Sequence, residues 1–336
     1  MIRTGARSRF VQICSIVPLR ILLCTLLCPL FCTFFDYSQA QAATKEKRNV
    51  AMILFRGETP SEQGFRETLA AAAEYDVQFT TFDAAQSKER LQEIIAGLDT
   101  LQYDMIYAFG TMAAQVALAK IKDTPIIFNV VQRPIEANVA ATWEHSGNNA
   151  TGASNMVSME SAFKTLALVL NIRKLAFVYN ENDPAPRYQR ADVEKIRKKF
   201  GFKVIDVTVQ NTADIPEALK LIVNSKVDAV MFPSDSFIKA NANDIMETLN
   251  KHRIPTIAII PEMVRENEAL MSLGPDYYEL GQLAAFNALQ VFGGKHPSDV
   301  PIQTVPSLKI SINLKTADML GVNVPLQLLS LSTIIR

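Results

Sequence analysis

Polar residues that could hold a small solute follow apolar runs in both halves of this chain. They are Phe55 with Arg56, Thr111 and Arg133 in the first half, and Tyr179 with Asn180, Ser234 with Asp235 and Ser236, and Glu262 in the second. Short apolar runs separated by amphipathic stretches predict parallel strands with helices on both sides of the sheet. Because ligands of open α/β sheets bind beyond the carboxyl ends of the strands, we expect these residues to converge on one cleft.

The charged candidates each admit two interpretations. Asp235 lies between an apolar strand and the start of a helix, so its carboxylate can bind a cationic group of a ligand or cap its own helix. Arg133 can hold a carboxylate or phosphate through two parallel hydrogen bonds. Alternatively, it can form a salt bridge with Glu181 or Glu262 across the two halves. Arg56 admits the same two interpretations, ligand anchor or salt bridge.

The uncharged candidates are similarly open. Thr111 and Ser236 stand where helices are expected to begin, as plain N-caps or as caps that leave neighbouring N–H groups free for an anion. Phe55 and Tyr179 can stack against an apolar ligand or simply belong to the core. Asn155 lies just after a polar connection between the halves and can contact either the ligand or the backbone.

Nothing in the sequence indicates catalysis. It contains no nucleotide-binding, zinc-protease or serine-hydrolase motif, and its three histidines are isolated from one another. All four cysteines lie within the first 32 residues, so the rest of the chain has no thiolate for a metal or a nucleophile. Acidic residues slightly outnumber basic ones after residue 42, which argues against nucleic acid as a partner. We expect no enzyme activity, no metal and no cofactor.

The elements that would position these residues alternate along the chain. Strands are predicted at 50–55, 77–82, 104–109 and 125–131, then at 175–180, 203–209, 227–232 and 255–260. Helices are predicted between them, including 61–73 with Ser61 as N-cap and 237–251. A tail follows, with strands at 269–273 and 308–312 and helices at 277–292, 314–320 and 325–332. The fold class is therefore α/β, with two doubly wound Rossmann-like lobes joined by a hinge.

Because such a tail usually crosses back between lobes, each lobe is predicted to be discontinuous. The N-terminal lobe would comprise residues 43–153 and about 274–305, and the C-terminal lobe 154–273 and about 306–336. Residues 1–42 form a predicted signal peptide, with four arginines before an apolar run at 21–35 and a small-residue cleavage site at 40–42. The predicted location is the periplasm. Lipid anchoring is less favoured, because Leu27 and Phe31 are large where a small residue would precede the modified cysteine.

Several short stretches, in order, resemble one family of bacterial ABC transporter substrate-binding proteins, which includes tryptophan- and tyrosine-linked members. They are GTMAAQ at 110–115, PIIF at 125–128, NATG at 149–152, VYNE at 178–181, PSD at 233–235, DYYELG at 276–281 and INLKTA at 312–317. The resemblance implies a type I periplasmic-binding-protein fold that delivers its solute to a membrane permease with a separate ATPase. It also implies that Thr111, Asn180 and Asp235 line the cleft.

One difference from the family bears on the ligand. Relatives commonly have Asp-Pro where this chain has Arg133-Pro134. The expected ligand is an amino acid or another small carboxylate. If that loop faces the ligand, a more anionic solute is a further alternative. A different role is also open, since the same two-lobed module can serve as the ligand-sensing part of a membrane signalling receptor.

Overall fold

Two β-sheets organise the chain in the computed structural model, which describes residues 45–336. The predicted signal peptide lies outside the described residues. The first sheet contains β1 (Glu46–Leu54), β2 (Tyr75–Asp83), β3 (Met105–Phe109), β4 (Ile126–Asn129), β5 (Ala150–Ser154) and β11 (Gln303–Thr304). Its order is β11-β5-β4-β3-β1-β2, and every neighbouring pair is parallel.

The second sheet has the same design with one antiparallel pair. Its strands are β6 (Lys174–Tyr179), β7 (Lys203–Thr208), β8 (Ala229–Phe232), β9 (Thr256–Ala258), β10 (Met271–Gly274), β12 (Lys309–Asn313) and β13 (Ser332–Ile335). The order is β13-β12-β10-β9-β8-β6-β7, and only β10 and β12 run antiparallel. Each sheet with its helices forms one lobe, so the predicted α/β class with two doubly wound lobes is confirmed.

Helices cover both faces of each sheet. They are α1 (Pro60–Ala71), α2 (Lys88–Gly97), α3 (Thr111–Lys120), α4 (Met159–Leu166), α5 (Pro184–Phe200), α6 (Ile215–Asn224), α7 (Ser236–Ala240), α8 (Ala242–Lys251), α9 (Glu262–Glu266), α10 (Tyr277–Phe292), α11 (Leu314–Leu320) and α12 (Leu326–Leu329). Successive side chains of a strand pack on opposite faces of the sheet. In β6, Leu175 and Phe177 belong to the core on one face, and Ala176 and Val178 belong to the core on the other. Within residues 45–336, no helix combines the length and apolar character needed to cross a bilayer.

Over residues 45–336, the chain crosses between the lobes three times, after β5, after β10 and after β11. The second crossing leads into α10, which packs against α1 of the first lobe. Their backbones are so close that a Cβ on Gly281 would lie 2.0 Å from the Ser61 carbonyl oxygen, and one on Gly64 would lie 2.2 Å from that of Tyr278. Glycine is required at both positions because any side chain would force the helices apart.

Three predicted details are wrong. Thr59 rather than Ser61 caps α1: its Oγ1 accepts a hydrogen bond from the Ser61 N–H at 3.1 Å, and the Glu62 carboxylate accepts one from the Thr59 N–H at 2.7 Å. The helix predicted at 237–251 is two helices, interrupted at Asn241, whose side-chain amide donates to the Phe237 carbonyl at 2.8 Å. The last helix, predicted at 325–332, is limited to Leu326–Leu329, and Ser332–Ile335 pair with β12 as strand β13.

Candidate ligand-binding cleft

A cavity lies between the lobes, beyond the carboxyl ends of the central strands. It surrounds about 420 Å³ of space between atoms, part of it open to solvent. The residues that line it are Phe55, Arg56, Phe109, Gly110, Thr111, Met112, Val130, Asn155, Asp183, Ala185, Ser234, Asp235, Ser236, Ile260 and Tyr277. Both lobes contribute, as the position of ligands in open α/β sheets predicts.

Two carboxyl groups of the second lobe border the cavity. Asp183 caps α5, with its Oδ1 accepting from the Ala185 N–H at 3.0 Å. Asp235 caps α7, with its Oδ1 accepting from the Ile238 N–H at 3.0 Å and its Oδ2 from the Asn180 N–H at 2.6 Å. Burial raises the pKa of Asp183 to about 7, with a further contribution from the charge of Asp235. Burial likewise raises the pKa of Asp235 to about 6, against the effect of the donated N–H groups.

A guanidinium of the first lobe shares the cavity with these acids. The Arg56 Cζ lies 5.5 Å from the centroid of the Phe109 ring and 5.8 Å from that of the Tyr277 ring, which are cation–π distances. Its positive charge opposes the rise in pKa of both Asp183 and Asp235. Among the described residues, Arg56 forms no salt bridge, so its donors are available to a ligand.

The start of α3 supplies a second electropositive group. Its N-cap is Gly110, at φ 90°, and no side chain of residues 45–336 caps the first turn. The Thr111 hydroxyl accepts from the Gln132 N–H at 3.0 Å instead, so the prediction that Thr111 caps α3 is wrong. Ser236 is likewise the first helical residue of α7 and not its cap, which is Asp235. The first turn of α3 therefore presents uncapped N–H groups to the cavity, a favourable place for an anion.

A buried polar chain joins the cavity to the crossings between the lobes. The Asn155 Nδ2 donates to the Ser234 Oγ at 3.1 Å, and that oxygen lies 3.2 Å from the Tyr277 hydroxyl. The Ser234 N–H donates to the Gln189 Oε1 at 2.7 Å. The Asn155 Oδ1 is buried and has no hydrogen-bond partner among residues 45–336. An amide oxygen in this state is available to a donor on a ligand.

Seven predicted site residues line this cavity: Phe55, Arg56, Thr111, Asn155, Ser234, Asp235 and Ser236. The other four do not. Asn180 borders an adjoining cavity that shares Phe55 and Asp183 with the first, and Glu262 borders another that Arg56 also lines. The Tyr179 ring packs edge-on against Phe177, with ring centroids 5.5 Å apart.

Arg133 lies outside the cavity and forms an ion pair between the lobes. Its Nη2 donates to both carboxylate oxygens of Asp192 at 2.6 Å, and its Nη1 donates to Glu136 at 2.5 Å. The expected partners of Arg133 were wrong, because Glu262 pairs with Arg265 and Glu181 accepts from Gln210. A salt bridge across the two halves nevertheless exists.

Sequence reasoning missed Asp183 and Tyr277. A signal was present for the first, because Asp183 followed by Pro184 is a typical N-cap and first-turn pair. Tyr277 begins a helix that was predicted, but only the crossing geometry brings its ring into the cleft. In the part of the chain that the structure describes, no group of three or more histidines and acids is placed to hold a metal ion.

Two doubly wound lobes with a cavity between their strand ends define a type I periplasmic-binding-protein fold. Comparison with known proteins agrees: residues 50–334 match the family described as ABC transporter substrate binding protein. The chain belongs to this family.

Individual relatives extend the comparison. A tyrosine-binding protein of Clostridioides difficile is 31% identical over 64% of this chain, and the match spans 63% of that relative's length. An ABC domain from Streptococcus pneumoniae in complex with L-Trp is 22% identical, with a TM-score of 0.81 over 87% of this chain and 100% of that one. A ligand-free, open substrate-binding protein from Clostridium difficile is also 22% identical, with a TM-score of 0.65 over 86% of this chain and 99% of that one.

Proposed function

We propose that this protein is an exported solute-binding protein that captures an amino acid between its lobes and delivers it to an ABC-type permease with a separate ATPase. The observation that carries the proposal is the opposition of charges across the cavity. Asp183 and Asp235 lie on the second lobe. Arg56 and the start of α3 lie on the first, and neither the salt bridges nor the side-chain caps of the described part of the chain engage them.

An α-amino acid carries matching groups. Its ammonium group would bind Asp183 and Asp235, and its carboxylate would bind Arg56 and the N–H groups of the first turn of α3. The remaining lining is largely apolar and aromatic, with Phe55 and Phe109 beside Tyr277. These rings would pack against an apolar or aromatic side chain. The tyrosine and L-Trp named for the relatives have such side chains.

A strongly anionic solute is less favoured than the sequence indicated, where Arg133 stands in place of the aspartate common in relatives. That expectation depended on the loop of Arg133 facing the ligand, whereas Arg133 is engaged by Asp192 and Glu136 outside the cavity. Within the cavity, two carboxyl groups accompany one guanidinium. A ligand with one ammonium and one carboxylate therefore fits this set better than a dianion.

Binding would proceed by closure of the two lobes about the three crossings. As a whole, this chain superposes better on the L-Trp complex than on the open, ligand-free protein, although the two are equally distant in sequence. This difference supports a closed arrangement here. A ligand that contacts both lobes would stabilise such an arrangement, because it binds the closed state more tightly than the open one.

Native mass spectrometry of the purified protein, followed by mild denaturation, tests the proposal. A stoichiometric amino acid released on denaturation is the expected result. Isothermal titration calorimetry with L-tyrosine, L-tryptophan, L-glutamate and tryptamine then distinguishes the ligand classes. Tryptamine tests the carboxylate, because it lacks this group. Binding of L-glutamate in preference to both aromatic amino acids, or tryptamine binding as tightly as L-tryptophan, would contradict the proposed ligand class.

A further inference from the structure

The ion pair between Arg133 and Asp192 joins the lobes at a place separate from the three crossings. Arg133 lies in the loop between β4 and β5, whose apolar residues pack in the core of the first lobe. Asp192 lies on α5, whose Val193 and Ile196 pack in the core of the second lobe. The Arg133 side chain is 22% exposed and that of Asp192 is 11% exposed. The charges are thus sheltered enough for their attraction to matter.

Both ends of this pair are connected to the cleft by short paths. On the first lobe, the N–H of Gln132, the residue before Arg133, donates to the Thr111 hydroxyl, which lines the cavity. On the second, α5 begins at the cleft with Asp183, its N-cap.

The same face of α5 continues from the cleft toward Asp192. Ala185 lines the cavity, and one turn later the Tyr188 hydroxyl donates to the Glu136 carbonyl of the first lobe at 3.0 Å. Asp192 follows after another turn. A ligand that holds Asp183 against the start of α3 therefore also aligns Asp192 with Arg133.

Each partner also has a counter-charge within its own lobe. Glu136 accepts from Arg133 at 2.5 Å, and Lys195 donates to Asp192 at 3.2 Å. When the lobes separate, neither Arg133 nor Asp192 is left without a neighbour of opposite charge. Breaking the pair therefore costs less than exposing a lone buried charge, and the contact can form and break repeatedly.

We propose that Arg133 and Asp192 form a latch that sets ligand affinity by stabilising the closed state, without touching the ligand. This inference rests on the proposed function, because it requires a solute that closes the lobes. The measured dissociation constant of such a protein depends on the fraction of closed, binding-competent molecules. Removing the latch lowers that fraction, so the residues act as positioning residues for closure.

Arg190 offers a matched control. It is 18% exposed and makes a two-bond ion pair with Asp206 and a further bond to Glu194, and all three residues belong to the second lobe. Losing this pair would weaken one lobe without affecting the contact between lobes. Arg133→Ala and Arg190→Ala therefore remove similar ion pairs that differ in whether they span the lobes.

The test measures two quantities on the wild-type protein and both variants. Isothermal titration with L-tyrosine and L-tryptophan gives the affinity, and thermal unfolding without ligand gives the stability of the free protein. We expect Arg133→Ala to raise the dissociation constant about tenfold and to leave the ligand-free melting temperature nearly unchanged. Arg190→Ala should lower the melting temperature and leave the affinity unchanged. The charge exchange, Arg133→Asp with Asp192→Arg, should recover affinity relative to Arg133→Asp alone.

The outcomes separate the latch from the binding function. If the wild-type protein binds a probe and Arg133→Ala binds it within about twofold of the wild-type affinity, the latch is refuted and the proposed function stands. If Arg133→Ala and Arg190→Ala weaken binding equally, the effect is a general loss of stability and the latch is again refuted. If the wild-type protein binds no solute, both proposals fail together.

Discussion

Helix α3 in the first lobe and helices α5 and α7 in the second begin at the same cleft, but with opposite electrostatics. The first starts at Gly110 with no side-chain cap, whereas the other two start at Asp183 and Asp235, whose carboxylates cap them. Under the proposed function, the helix starts of the first lobe provide an anion site and those of the second lobe a cation site. The choice of N-cap residue would then set the polarity of a ligand site without any change of fold.

The largest effect on affinity should follow from neutralising the two carboxylates of the second lobe that border the cavity. Replacing Asp183→Asn and Asp235→Asn together should weaken binding of L-tryptophan about a hundredfold, since two charged partners of an ammonium group are lost. Asparagine is itself a good N-cap, so the helices should persist in a circular dichroism spectrum. Asp214→Asn is the matched control, because Asp214 accepts backbone N–H groups of the same lobe in an exposed turn. Unchanged affinity in the double variant would remove these acids from the site.

Loss of the guanidinium of the first lobe should weaken the binding of ligands that carry a carboxylate and spare those that lack one. Arg56→Gln should weaken L-tryptophan about thirtyfold, within the range for a hydrogen bond to a charged group. The same variant should bind tryptamine no more weakly than the wild-type protein does, because tryptamine has no carboxylate for Arg56 to hold. Titration of both ligands against both proteins gives this comparison directly. Equal losses for the two ligands would mean that Arg56 contributes packing alone.

The pH dependence should have opposite signs for binding and for folding. Burial raises the pKa of Asp183 to about 7 and that of Asp235 to about 6. A ligand ammonium group binds the ionised carboxylates more tightly than the protonated carboxyl groups. Affinity should therefore rise about tenfold between pH 5.5 and pH 7.5, because fewer protons must leave these two carboxyl groups when the ligand binds. The ligand-free folded state binds more protons than the unfolded state in this interval, so its unfolding free energy should fall as the pH rises. Titrations and thermal melts across the interval check both signs; a flat affinity profile would contradict the first.

A smaller effect should come from the glycine that leaves α3 uncapped. Gly110 is at φ 90°, and nothing lies within 4 Å of the position of a Cβ, so the cost of Gly110→Ala is conformational, about 1–3 kcal/mol of unfolding free energy. The added methyl group and the backbone adjustment should weaken binding about fivefold. Gly201→Ala is the control: Gly201, at φ 74°, ends α5 away from the cavity with equal space around it. Chemical denaturation and titration should show a stability loss in both variants and an affinity loss only at Gly110.

The smallest effect should be at Ser236. Although it lines the cavity, it is the first residue of α7 and Asp235 already caps that helix. Ser236→Ala should therefore change the affinity less than threefold and leave the melting temperature unaltered. A loss as large as that of Arg56→Gln would show that the hydroxyl contacts the ligand directly.

Much of this arrangement could be predicted because the sequence signals are local. Apolar runs such as residues 50–55 define buried strands, and the polar residues that follow such runs are expected at the cleft. Arg56 and Asp235 were predicted on this basis, and both line the cavity. Family membership was also recognisable from short stretches such as residues 110–115, which form the start of α3.

What could not be predicted depends on contacts between distant residues. The pairing of Arg133 with Asp192, 59 positions away, follows from how a loop of one lobe meets a helix of the other. Helix caps were misplaced by one or two residues, at Ser61, Thr111 and Ser236, because neighbouring residues compete for the same N–H groups. Strand β13 was missed because four residues at the end of the chain become a strand only when β12 offers them a partner.

The late return of the chain has a consequence for the order of folding. Helix α10 and strand β11 complete the first lobe, yet they lie more than 190 residues beyond β2. The sheet of the second lobe is completed only by β13, at Ser332–Ile335. Neither lobe can complete its sheet before these late segments have been synthesised. A chain with so many distant pairings folds slowly.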